Sequence, residues 1–158
     1  MILKRDSIES RLKELDRILQ ELRKYADITP ETLRADLSQQ WIIERGLIAA
    51  ATIVFDVGDH ILAGYFGDYG PTYEDVLWGL YDHGVASAAL YPRLQGLGGL
   101  QNILVHRYLD INSTEVWQHY QKGLEVFPSL RARSSRGWTT RQRSGVIQTK
   151  ANDRLPVT

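Results

Sequence analysis

The side chains best suited to chemistry lie close together between residues 98 and 110. His106 can accept and donate protons near neutral pH, because a free imidazole titrates near pH ~6.5. Asn102 can donate hydrogen bonds, Arg107 offers a guanidinium fork for phosphate, and Tyr108 carries a phenol. These residue types predict proton and phosphate chemistry, although composition alone also fits a capped helix end that does no chemistry.

Other titratable residues give weaker evidence for a functional site. Asp56, Asp59 and His60 lie at positions i, i+3 and i+4 of a predicted helix face, a spacing that can hold a divalent cation. Two carboxylates and one imidazole are too few ligands, so we expect a polar strip and no metal site. His83 fits a helix C-terminus, where the helix dipole favours it, and we expect His119 to be exposed.

Several classes of site are excluded. The chain has no Cys, which rules out disulfides, thiolate metal ligands and a cysteine nucleophile, and permits a cytoplasmic location. The glycines at 96, 98 and 99 do not follow the order of a phosphate-binding loop. Neither a G-x-S-x-G elbow nor an H-E-x-x-H zinc motif occurs. We therefore expect no cofactor.

The composition fits one domain with a charged tail. The 158 residues are 43% hydrophobic and 24% charged, which is enough apolar material for a buried core. The zero net charge conceals an asymmetry, because residues 1–130 have 12 Lys and Arg against 18 Asp and Glu, whereas residues 131–158 have 7 against 1. We predict a helical domain over residues 1–128 and a basic, disordered tail over residues 129–158. An acidic body of this kind is a poor DNA binder.

Apolar residues recur with helical spacing in five segments, and no segment alternates as a strand does. One apolar stripe in the first segment is formed by Ile8, Leu12, Leu15, Leu19 and Leu22. We predict helices over residues 3–25, 32–63, 73–82, 87–106 with a bend near Pro92, and 113–126 ending at Pro128. The fold class is therefore all-α, an antiparallel bundle of four or five helices.

The second predicted helix is apolar on most of its sides, so more than one face must be covered. Its apolar stretch from Gly46 to Phe55 is too short to span a membrane. The small residues Ala49, Ala50 and Ala51 would let a neighbouring backbone approach closely. In a chain this short, that neighbour could be a second subunit.

Three blocks of the sequence together form a distinctive pattern. The first block comprises Glu44-Arg45-Gly46-Leu47 and Phe55-Asp56-Val57-Gly58-Asp59-His60-Ile61. The second comprises Pro71-Thr72-Tyr73 and His83-Gly84-Val85, and the third is Asn102-Ile103-Leu104-Val105-His106-Arg107-Tyr108. In these blocks and their order the sequence resembles the HepT-like HEPN toxins of bacterial and archaeal toxin–antitoxin modules, and the third block corresponds to the family motif R-x4-H-x-Y, often with Asn just after the Arg. The resemblance covers residues 1–127.

The resemblance implies a metal-independent ribonuclease that cleaves tRNA or mRNA in a type VII-like toxin–antitoxin system. Two subunits would pair so that their motif helices meet at a two-fold axis and line one RNA cleft. His106 would act as general acid or base on the 2′-OH and the leaving oxygen, and the motif Arg would bind the phosphate. The implied partner is an MNT-type nucleotidyltransferase antitoxin, which would neutralise the toxin by transferring AMP units to Tyr108.

Two features depart from the family pattern. Gln101 stands at the position of the motif Arg, and losing one such electrostatic contact commonly costs about 10²–10³ in rate. Arg107 is a poor substitute, because it follows His106 directly and points in a different direction on a helix. The basic tail has no counterpart; it is either an addition by readthrough or frameshift, or an arm that attracts RNA. Two hypotheses follow: an impaired toxin nuclease, or a non-catalytic helical dimer module that docks a nucleotidyltransferase.

Overall fold

The computed structural model describes residues 5–106, except for the side chain of His106, and residues 111–134. Throughout these ranges the regular structure is helical, without strands. The helices are α1 (Arg5–Arg23), α2 (Pro30–Ala35), α3 (Leu37–Ile61), α4 (Tyr73–Asp82), α5 (Tyr91–Leu94), α6 (Leu97–His106) and α7 (Ser113–Ser134). Five of them have ten residues or more, so the predicted all-α bundle is confirmed. The two-fold dimer stays a prediction.

The apolar stripe of α1 is buried as predicted. Its side chains pack mainly against α3, and the buried residues are Ile8, Leu12, Leu15, Leu19 and Leu22. The Tyr120 hydroxyl of α7 donates to the Leu22 carbonyl oxygen at 2.5 Å, and burial raises the pKa of Tyr120 to about 12. A buried phenol that already has an acceptor stays protonated and ties α7 to the end of α1.

The predicted second helix is interrupted at Asp36, which corrects the expectation of one helix over residues 32–63. Asp36 has extended backbone angles (φ −118°, ψ 98°), and its side chain accepts from the Gln39 N–H at 3.1 Å. The residue therefore ends α2 and caps α3. At the other end of α3, a π-helical turn (Leu62–Phe66) follows and stops at Gly67, whose φ of 63° is left-handed.

Helix α3 is the centre of the bundle and contacts α1, α2, α4, α6 and α7. The continuous helical stretch Leu37–Phe66 is long and apolar enough to cross a membrane by length and composition alone. Half of its most apolar window is buried inside the fold, which is the packing of a core helix. Ala50 and Ala51 face this core, whereas Ala49 is half-exposed. Ala50 and Ala51 thus pack within the core of the chain itself.

Helix α4 has the predicted bounds. A reciprocal capping box explains its start, because the Thr72 hydroxyl accepts from the Asp75 N–H at 3.2 Å and the Asp75 carboxylate accepts from the Thr72 N–H at 3.1 Å. The next predicted helix is divided: α5 ends at Leu94, and Gly96, with a φ of 85°, separates it from α6. The expected bend near Pro92 is therefore a break a few residues later.

Helix α7 continues to Ser134, so the expectation that it ends at Pro128 is wrong. Proline inside a helix removes one hydrogen bond, but Phe127 and Leu130 on either side are buried. Arg131 also donates to both oxygens of Asp16 on α1, at 3.0 and 3.1 Å. These tertiary contacts outweigh the local cost of the proline. Residues 129–134 consequently belong to the helical bundle, and the expectation of a disordered tail stays a prediction for residues 135–158, beyond the described part.

Candidate functional site

The candidate site is built on α6, which packs against α3 and α4. Leu100 and Leu104 are buried and anchor the helix in the core. Near its start, Gly98 lies so close to Tyr73 that an added Cβ would stand 2.7 Å from the Tyr73 Cβ. The Gly96 N–H, just before α6, donates to a carboxylate oxygen of Glu74 at 3.2 Å. Helix α6 is therefore held at its start by α4 and along its length by α3.

Gln101, at the position of the motif Arg, points into the fold. Its side chain is 8% exposed, and its Nε2 donates to the Thr52 Oγ1 of α3 at 2.8 Å. The Thr52 hydroxyl in turn donates to the Ile48 carbonyl oxygen at 2.8 Å. Gln101 Oε1 is buried and has no hydrogen-bond partner within the described residues. The residue thus links α6 to α3 through a neutral hydrogen bond and offers no positive charge.

The other candidate residues follow along α6. Asn102 is exposed, and His106 is the last described residue of α6. The side chain of His106, and the whole of Arg107 and Tyr108, lie outside the described residues. The roles of these three residues stay predictions from the motif. The structure adds the geometry of α6 as far as His106.

Tyr73 is an exposed aromatic residue beside the start of α6. Its ring stacks on the buried ring of Phe55, with centroids 4.3 Å apart and an interplanar angle of 25°. The residue is nevertheless 46% exposed. Tyr73, Gly98 and Asn102 therefore border one surface, since Gly98 and Asn102 lie one helical turn apart.

The polar strip of α3 contacts other polar groups of the chain. The Asp56 carboxylate faces Arg11 Nε at 3.7 Å, and the His60 ring Nδ1 lies 2.7 Å from the Asp56 carbonyl oxygen. Burial, and then the charge of Asp56, raise the pKa of the Asp59 carboxyl. Within the described ranges, no group of three or more His, Asp or Glu is placed to hold a metal ion.

His83 forms a contact that the sequence did not predict. It caps the C-terminus of α4, as expected, and its Nε2 also lies 3.0 Å from Asp68 Oδ2. The ring stacks on Phe66 at 4.2 Å. The hydrogen bond with His83 holds the pKa of the Asp68 carboxyl below its usual value. The His83–Asp68 pair connects the C-terminus of α4 to the loop between the π-helical turn and α4.

His119 is not exposed as expected. It is half-buried on α7, and burial lowers the pKa of its imidazole. The ring lines a small cavity together with Arg93, Leu97 and Phe127. The prediction failed because α5 and α6 pack against this face of α7. The sequence of α7 alone does not show that other helices contact this face.

Sequence reasoning missed two residues at the site. Thr52 stands 49 residues from its partner Gln101, and no sequence signal relates the two. Tyr73 was visible in the block Pro71-Thr72-Tyr73, but the block suggested no role for its ring. Both become apparent only when α3, α4 and α6 are packed together.

The sequence of this chain is similar to those of known proteins. The sequence profile of the family described as Ribonuclease HepT-like matches residues 15–133. A tRNA nuclease HepT from Aphanizomenon flos-aquae (strain 2012/KM1/D3) is 29% identical over 121 residues, which are 77% of this chain and 82% of the relative.

Two solved structures have a similar fold. The tri-AMPylated HEPN toxin of Shewanella oneidensis, in complex with MNT antitoxin, superposes with a TM-score of 0.71 and 21% identity, over 80% of this chain and 94% of that one. YutE from Bacillus subtilis, a cytosolic protein of unknown function, also has a TM-score of 0.71, with 19% identity over 85% of this chain and 90% of that one.

Proposed function

Because the chain belongs to the HepT-like ribonuclease family, we propose that it is the toxin subunit of a HEPN/MNT toxin–antitoxin pair. Its site would be that of a metal-independent endoribonuclease. One observation carries the proposal: the family match spans residues 15–133 and includes the whole of α6 (Leu97–His106), which presents Asn102. The relative named as a tRNA nuclease favours tRNA over mRNA as the substrate.

The residues of α6 are suited to cleavage by the RNA's own 2′-hydroxyl. His106 would remove the proton from this hydroxyl, whose oxygen then attacks the adjacent phosphorus. The bond to the 5′-oxygen breaks, and a protonated imidazole supplies the proton that the leaving oxygen needs. The products are a 2′,3′-cyclic phosphate and a 5′-hydroxyl. Because the nucleophile belongs to the substrate, the step needs no metal-bound water.

Charge on the phosphate must be stabilised during this step. Asn102 is exposed and can donate hydrogen bonds to a phosphate oxygen, and Arg107 can add a positive charge. Gln101 cannot do so, because it is neutral, buried and bound to Thr52. We therefore propose that the nuclease is impaired as the chain stands.

The presence of Gln101 in place of the motif Arg also favours a second candidate function. A chain that has lost the motif Arg can keep its fold and still dock an MNT-type nucleotidyltransferase. In that case the protein is a non-catalytic helical dimer module. The Shewanella toxin, whose complex contains MNT antitoxin and three AMP units, supports a nucleotidyltransferase partner under either function, and Tyr108 is the residue that we propose it modifies.

The variant Gln101→Arg, which restores the motif Arg, distinguishes between the two candidate functions. We expect Gln101→Arg to increase cleavage of total tRNA by about 10²–10³-fold, because it returns one charged contact to the transition-state phosphate. His106→Ala in this background should abolish the cleavage, and EDTA should leave it unchanged. Cleavage is measured on denaturing gels with 5′-labelled RNA.

Gln101→Met is the matched control. It removes the hydrogen bond to Thr52 without adding charge, so any gain in activity that it shares with Gln101→Arg comes from loosening α6. Circular dichroism melts establish that each variant folds. If folded Gln101→Arg cleaves neither tRNA nor mRNA, the non-catalytic module is the correct function. If its cleavage needs a divalent metal, the proposed mechanism is wrong.

A further inference from the structure

We propose that Tyr73 is a stacking site for an unpaired RNA base next to the scissile phosphate. The inference rests on the proposed ribonuclease function and adds to it a residue outside the R-x4-H-x-Y motif. Tyr73 packs against Phe55 in the fold and yet is 46% exposed.

The Tyr73 ring is rigidly held. The residue opens α4 directly after Thr72, whose capping box with Asp75 fixes the backbone at that point. Its ring lies against Phe55, which is 2% exposed, at a centroid distance of 4.3 Å. A ring held in this way loses little conformational freedom when a base stacks on it.

Tyr73 also lies on the path to His106. Its Cβ packs where Gly98 has no side chain, so the ring stands at the start of α6. His106 follows Gly98 by eight residues, which is about 12 Å along the helix axis. The exposed Asn102 lies between them, one turn beyond Gly98. A strand whose phosphate reaches His106 would therefore pass Asn102 and bring a neighbouring base to Tyr73.

The carboxylates next to Tyr73 are already engaged. Glu74 accepts from the Gly96 N–H at 3.2 Å, and Asp75 accepts from the Thr72 N–H and hydroxyl at 3.1 and 2.6 Å. Both residues are nevertheless exposed, so their negative charge disfavours a phosphate at this point, whereas the neutral ring of Tyr73 is a group that a base can contact. Base stacking suits this surface better than phosphate binding, because a π-face attracts a base without needing positive charge.

The test measures binding of a single-stranded RNA oligonucleotide by fluorescence anisotropy, with the full chain and a 2′-O-methyl backbone to prevent cleavage. Tyr73→Leu should weaken the Kd by at least about fivefold, the lower end of what losing one base stack costs. Tyr73→Phe should bind as the native chain does, because it keeps the ring. Trp78→Leu is the matched control: Trp78 is also 46% exposed on α4, but its ring neighbours are Tyr81 and Tyr91.

Oligonucleotides with one abasic position each locate the stacked base. With the native chain, one position should weaken binding by a similar factor, and with Tyr73→Leu this position should cost nothing further, since both changes remove the same contact. Equal losses for Tyr73→Leu and Trp78→Leu would overturn the proposal, as would dissociation of a native dimer by Tyr73→Leu. If the native chain binds RNA and Tyr73→Leu binds equally well, the stacking site alone is wrong. If the native chain binds no RNA, the proposed ribonuclease function fails with it.

Discussion

At residue 101, a neutral amide occupies a place where the family motif has a cation. The Gln101 side chain bonds Thr52 across the α3–α6 contact at 2.8 Å and keeps its Oε1 buried without a partner in the described part of the chain. Thr52, its hydrogen-bond partner, is exposed, so position 101 lies at the edge of the core and close to solvent. Gln101→Arg tests whether a cation at this position reaches the RNA.

The residue-scale prediction concerns Tyr108. Incubation with the cognate nucleotidyltransferase, ATP and magnesium should add mass in multiples of one AMP, and Tyr108→Phe should abolish the gain. Phosphate added two residues after His106 would repel substrate phosphates, so inhibition needs no change of fold. Intact-mass spectrometry measures this directly. The chain has eight tyrosines, and Tyr69 and Tyr73 are exposed, so a gain that survives Tyr108→Phe would identify a different acceptor and refute the assignment.

Among the elements, α7 contacts α1, so the last described helix of the bundle lies against the first. Arg131 donates to both carboxylate oxygens of Asp16 on α1, and Arg133 donates to the Val85 carbonyl oxygen at 3.3 Å. The hydrogen bond with Asp16 raises the pKa of the Arg131 guanidinium. Cations in the last turn also interact favourably with the helix dipole. The segment just beyond Pro128 is therefore a structural part of the bundle.

Two truncations test this boundary. Removing residues 135–158 should leave the melting temperature nearly unchanged, because α7 and its contacts stay intact. Removing residues 131–158 should lower it by several degrees, since the Asp16 pair contributes up to about 1 kcal/mol, equivalent to roughly 2–4 °C, and the last helical turn is lost as well. Differential scanning calorimetry measures both, with Asp16→Asn as the matched control. Equal melting temperatures for the two truncations would mean that the helical domain already ends at residue 130.

At the scale of the whole molecule, exposed apolar residues indicate where a second copy of the chain could bind. Val105 is 46% exposed next to His106 on α6. A groove of about 490 Å³ lies between α1 and α3, where Trp41 is 62% exposed. A two-fold contact through α6 would bring two copies of the motif to one cleft. It would also compensate for the angle of about 140° that separates residues 101 and 106 within one helix.

Sedimentation equilibrium distinguishes these surfaces. We expect the native chain to be a dimer at micromolar concentration and Val105→Glu to be a monomer, because two buried carboxylates would face each other across the axis. Trp41→Ser should remain a dimer. A stable native monomer would refute the shared cleft. Dissociation by Trp41→Ser but not by Val105→Glu would move the interface to the groove between α1 and α3.

The features of the fold that the sequence predicted correctly depend on residues a few positions apart in the chain. The stripe of α1 follows from apolar residues three and four positions apart, and the start of α4 from Thr72 and Asp75, which cap each other within one turn. The motif around Asn102 and His106 likewise indicated a family because its residues are close neighbours. The break at Asp36 was equally local, but a side chain that ends one helix and caps the next does not disturb the apolar period.

The sequence by itself therefore determined the all-α class, the main helices and the family motif, because each depends on residues a few positions apart. Only the tertiary structure decided where Gln101 points, which ring supports Tyr73, and that α7 continues past Pro128. Those outcomes depend on partners such as Thr52 and Asp16, which are 49 and 115 residues away along the chain. Contacts at such separations are set by how whole helices pack, and packing sums many small terms that no local pattern contains.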